Sequence, residues 1–79
     1  MENKQRKEFT ELARAKIRDN RNIIISKDNT GFITIAQQLV IVEDGRETAV
    51  FLKGAIEIEE ANLENVERAI LQALEAMGK

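Results

Sequence analysis

Between positions 22 and 42 apolar side chains occupy odd and even positions alike, a pattern that restricts the architectures open to this chain. Ile23-Ile24-Ile25 is a β-branched run too short for a helix, and it reads as a strand over residues 22–27. Residues 32–42 follow as a second strand, with Ile33, Ile35, Leu39 and Ile41 on one face and Phe32, Thr34, Ala36, Val40 and Val42 on the other. Antiparallel sheets usually leave one face wet and show clean apolar/polar alternation. Here both faces are apolar, so both need cover.

The connections favour hairpins. Asp28-Asn29-Thr30-Gly31 is a turn cluster in which Gly31 or Asn29 supplies a positive φ. Asp44-Gly45, set between two apolar runs, predicts a type I′ turn and a returning strand over 47–53. Gly54 then breaks the pattern, as a bulge or a close backbone approach, before a short strand over 55–59. The strand over 32–42 is long for its class, and Gln37-Gln38 interrupts it. The pair marks a bend, a bulge or the point where the strand exchanges one partner for another.

Helices are expected at both ends. Phe9, Leu12, Ala13 and Ile17 recur at helical spacing over residues 3–20. At the other end Leu63, Val66, Ile70, Ala73, Leu74 and Met77 form a seam over 62–77, with Asn62 as N-cap and Gly78 as the residue that ends it. The predicted fold is a single α+β domain over residues 1–79: an N-terminal helix, a four-stranded antiparallel meander and a C-terminal helix (α-β-β-β-β-α).

Two short helices cover one face of such a sheet and only part of the second. A chain of 79 residues buries about 60–65% of the surface its unfolded form exposes, so its core is thin. Small domains compensate with disulfides, metals or partners. Without Cys there is no disulfide, and without Cys or His there is no zinc finger and no Ser-His-Asp or Cys-His nucleophile pair. Oligomerisation remains, most simply a symmetric homodimer. The absence of Cys and of any long apolar run points to a cytoplasmic protein with no membrane association, and no enzyme, cofactor or metal site is expected.

The net charge of −2 hides an asymmetry: residues 1–21 hold seven Lys/Arg against four Asp/Glu, residues 22–79 five against ten. On the expected first helix, Lys4, Lys7, Arg14, Arg18 and Arg21 share the face opposite the apolar one. A row of cations on one rigid element suits phosphates, although such faces are commonly just solvated. Lys27 and Lys53, at strand ends, are secondary candidates for the same ligand. Phe32, Gln37, Gln38, Val40 and Leu71 are candidates for an oligomer or partner contact. Only three Phe, and no Trp or Tyr, are available to stack on bases.

From about residue 32 the succession of a hairpin, a strand ending Lys53-Gly54, the strand Ala55-Ile56-Glu57-Ile58 and a long amphipathic helix resembles the bacterial relatives of the positive-cofactor-four coactivators. That resemblance covers about half of the chain and implies a homodimer binding single-stranded nucleic acid. In size and in its lack of Cys, His and Pro the chain is also similar to small phage-encoded proteins that inhibit or sequester host factors. The expected function is therefore a non-catalytic, homo-oligomeric module for a phosphate-bearing ligand, either single-stranded nucleic acid or a small nucleotide. The alternative is stoichiometric inhibition or regulation of a host protein.

Overall fold

The computed structural model describes residues 8–79. It contains one antiparallel sheet and one helix, in the order β1 (Phe9–Arg18), β2 (Arg21–Asp28), β3 (Phe32–Glu43), β4 (Arg46–Phe51), β5 (Ile56–Glu59), a 3-10 turn (Glu60–Asn62) and α1 (Leu63–Ala76). The sheet runs β1-β2-β3-β4, and β5 also pairs with β3.

The expected N-terminal helix is not formed: Phe9–Arg18 is an edge strand paired antiparallel with β2. The start of the expected helix, with Lys4 and Lys7, lies outside the described residues. Two bulges explain why the sequence reads as a helix. Glu11 pairs with Ser26 and Ala13 with Ile25, leaving Leu12 extra; Lys16 pairs with Asn22 and Arg18 with Arg21, leaving Ile17 extra. Each extra residue breaks the period-two alternation, so the apolar spacing Phe9, Leu12/Ala13, Ile17 imitates a helical stripe. Without β1, the backbone of β2 would present an unpaired edge; pairing outweighs intrinsic helix propensity.

The remaining strands fall within two residues of the expected ranges. Asp44 (φ 51°) and Gly45 (φ 77°) both sit in the left-handed region, as a type I′ turn requires. At the β2–β3 connection Gly31 takes the positive φ, while Asp28 Oδ1 accepts hydrogen bonds from Thr30 N (2.8 Å), Thr30 Oγ1 (2.6 Å) and Phe32 N (3.0 Å). A side-chain carboxylate thereby closes the turn from within.

β3 is the centre of the sheet and carries no bulge. One edge pairs with β2 through Ile33–Leu39. On its other edge β5 covers Phe32–Ile35 and β4 covers Gln38–Glu43. Gln37-Gln38 is the point where that edge changes partner. The chain between β4 and β5 loops out around Gly54 (φ 98°), with Leu52 N donating to Gln37 O at 2.9 Å. A Cβ at Gly54 would meet nothing within 4 Å, so its role is conformational and not a close approach.

α1 ends in a Schellman motif: Lys79 N donates to Leu74 O (2.9 Å) and Gly78 N to Glu75 O (3.0 Å), with Gly78 at φ 79°. Its start differs from expectation, because Asn62 makes no side-chain bond to the helix backbone and instead accepts from the side chain of Asn65.

Strand alternation and the pairing register divide the sheet into two faces. Ile23, Ile25, Ile33, Ile35, Ile56 and Ile58 lie on the face toward α1, the helix face. Ile24, Phe32, Ala36, Val40, Val42 and Phe51 lie on the other, the open face. The buried apolar residues among those described, Ile33 (1% exposed) and Ile24 (2%), are on opposite faces. No residue of α1 is buried, and the helix makes no extensive contact with any strand.

Candidate nucleic-acid interface

The register lines up four side chains in one row across the open face. Lys16 of β1 pairs with Asn22 of β2, Asn22 with Gln38 of β3, and Gln38 with Phe51 of β4. At ordinary strand spacing the row spans about 14 Å. Its middle is fixed by a hydrogen bond from Asn22 Nδ2 to Gln38 Oε1 at 3.2 Å. The row thus carries a cation at one end, two mutually oriented amides in the middle and an exposed aromatic ring at the other end.

The rest of the open face extends this character. All three phenylalanines of the chain lie on it: Phe9 opposite Asp28, Phe32 opposite Glu59 and Phe51 opposite Gln38. They are 54%, 38% and 61% exposed. Arg14, opposite Ile24, stands in the row next to that of Lys16. Arg14 Nε and Nη2 donate to the two carboxylate oxygens of Glu11, at 2.7 and 2.8 Å. Those hydrogen bonds hold the Glu11 carboxyl below its ordinary pKa and raise that of Arg14. Glu47, Glu57 and Glu59 make the β4–β5 margin acidic, so the surface suited to an anion is the side formed by β1 and β2 together with the row.

The basic residues singled out in the sequence are divided between faces. Arg14 is on the open face, whereas Arg18 and Arg21, paired across the β1–β2 hairpin, are on the helix face. Lys27 is also on the helix face and is engaged, with Nζ 3.0 Å from Glu60 Oε1. Lys53 is exposed on the loop between β4 and β5. Of the candidates for a partner contact, Phe32, Gln38 and Val40 share the open face; Gln37 is on the helix face. Leu71 lines the space between α1 and the sheet beside Val66 and Ile70.

Lys16 and Asn22 are not among the candidates the sequence offers, and Phe51 stands there only as one of the three phenylalanines available to stack. Part of the signal is present: the Asp44-Gly45 turn alone aligns Gln38 with Phe51. The Lys16–Asn22 pairing depends on the bulges of β1, which no residue type announces.

On the other side, Ile23, Ile25 and Ile35 form the floor, and Leu63, Val66, Ile70 and Leu71 one wall, of a cleft of about 1070 Å³. Glu60, Glu64 and Glu67 rim it. Its lining is apolar and acidic, the opposite of what a phosphate needs. Among the described residues no group of three or more carboxylates could hold a metal ion, and no helix is long and apolar enough to cross a membrane.

Comparison with protein-family models, with curated proteins and with solved structures finds no match to this chain.

Proposed function

We propose that this chain is a non-catalytic, homo-oligomeric module that binds single-stranded nucleic acid on the open face of its sheet. The row Lys16–Asn22–Gln38–Phe51 carries the reading, because it joins a phosphate-binding cation to amides and an exposed ring in one register. Base–aromatic stacking contributes about 1–3 kcal/mol per base and is tolerant of sequence, while lysine and arginine neutralise the backbone. Phe51 and Phe32 serve as stacking platforms, and Lys16 with Arg14 follows the phosphates. The side-chain amides of Asn22 and Gln38 retain hydrogen-bonding capacity beyond their mutual bond and face the bases.

Single strands are favoured over a small nucleotide by the shape of the two faces. The aromatic and basic residues lie on an open surface, whereas the cleft on the helix face is lined by isoleucines and glutamates. The order of hairpin, broken strand and terminal helix that resembles the positive-cofactor-four relatives points the same way.

A mobility-shift titration with a labelled single-stranded oligonucleotide, its duplex and a panel of free nucleotides tests the proposal. Single strands are expected to bind at low salt and to be released as salt rises, with the duplex weaker and free nucleotides weakest. No retardation of single strands at low salt contradicts it.

A further inference from the structure

We infer that a second copy of this chain seats its α1 in the cleft between sheet and helix, and that the two copies exchange this contact about a two-fold axis. The inference deepens the homo-oligomeric part of the proposed function and rests on it; the nucleic-acid face is not involved.

Exposed apolar surface motivates it. Ile56 on the helix face and Ile70, Leu71, Leu74 and Met77 along α1 are 40–63% exposed, and no residue of α1 is buried. A contiguous apolar patch of this kind marks an interaction surface.

The chemistry of the cleft selects the occupant. Lys27 and Glu60 tie the start of the helical segment to the sheet, and Leu63 and Val66 are half-buried there. Further along, Ile70, Leu71, Leu74 and Met77 are exposed. Inside its rim of Glu60, Glu64 and Glu67 the cleft therefore offers an apolar floor and an apolar helical wall, and what fits there is another apolar helix face with its own glutamates turned away from that rim. The chain's own α1 provides one, so a two-fold mate supplies and receives the same surface in a single isologous contact.

Charge supports the same occupant. Arg18 and Arg21 stand directly opposite each other at the β1–β2 end of the helix face, a pairing that is unfavourable without an anion. Arg21 Nε is buried without a hydrogen-bond partner. The incoming helix carries Glu64 and Glu67 beside its apolar seam, carboxylates complementary to these two guanidinium groups.

Because the chain lacks cysteine, the contact can be read by cross-linking. Ile23→Cys and Leu71→Cys variants, one of them tagged, are mixed under mild oxidation, and the unmodified protein is sedimented at micromolar concentration. The expected result is twice the 9.0 kDa chain mass together with a mixed disulfide joining the two variants. Ile70→Glu, at an exposed position, is expected to give a folded monomer by sedimentation and circular dichroism. A monomeric unmodified protein overturns both this inference and the homo-oligomer reading. A dimer that forms no mixed disulfide, or that survives Ile70→Glu, overturns the inference alone.

Discussion

Glu11 and Arg14 form a bidentate ion pair although residues three apart in a regular strand point to opposite faces. The bulge at Leu12 reverses the alternation between them and brings both side chains to the open face. The same bulge sets Lys16 in register with Asn22. A local irregularity of the backbone thus determines which charges reach the candidate interface.

The Glu11 carboxylate competes with phosphate for Arg14. Glu11→Gln is expected to tighten binding of a single-stranded oligonucleotide and to steepen the dependence of log K on log salt by about one. Thermal stability should change little, because an exposed pair contributes little. Fluorescence anisotropy at several salt concentrations measures the first effect and a melting curve the second. Weaker binding by Glu11→Gln would show that Arg14 acts only as held by Glu11.

The same pair predicts a pH effect. The folded-state pKa of Glu11 is depressed below its ordinary 4.5. Its stabilising contribution is therefore present above that ordinary value and lost as pH falls through the depressed one. Protonation over the same window releases Arg14. Oligonucleotide affinity should rise as pH falls through the window in the parent protein, with that increment absent in Glu11→Gln.

Lys16 and Phe51 are expected to separate the electrostatic from the stacking contribution. Lys16→Ala should reduce the salt slope by about one. Phe51→Ala should weaken binding by about 1–3 kcal/mol and leave the slope unchanged. Equal slopes for Lys16→Ala and the parent protein would remove Lys16 from the phosphate path.

Truncation of Ile33, 1% exposed, should cost about 2–5 kcal/mol, a large share of the stability of so small a domain. Asp28→Ala strips three donors at Thr30 and Phe32 of their acceptor, at about 1–3 kcal/mol. Asp28→Asn keeps an acceptor oxygen and should lose less. Urea denaturation followed by circular dichroism ranks the three; Asp28→Asn at or below the stability of Asp28→Ala would contradict the turn's assigned role.

How much of this was legible in the sequence depends on the length scale of each signal. The Asp44-Gly45 turn, the triple isoleucine and the helix seam closed by Gly78 are local, and each is found at the expected place. That both faces of the sheet are apolar could also be read, because β3 has no bulge to disturb its alternation. β1 could not be recognised by periodicity, since Leu12 and Ile17 are bulged out and the residues that remain carry a helical spacing. A helical reading consequently puts Arg14, Arg18 and Arg21 on one face, whereas strand geometry sends Arg14 and Lys16 one way and Arg18 and Arg21 the other. A cross-sheet row is a product of register, and register across β1 is set by those bulges.

The assignment of nucleic acid to the open face is tested most directly by methyl NMR. Adding a short single-stranded oligonucleotide to methyl-labelled protein should shift the Val40 and Val42 methyl signals of the open face. Those of Ile23, Ile25 and Ile35 on the helix face should stay in place. Shifts confined to the isoleucines of the cleft, or no shift at all at low salt, would contradict the account.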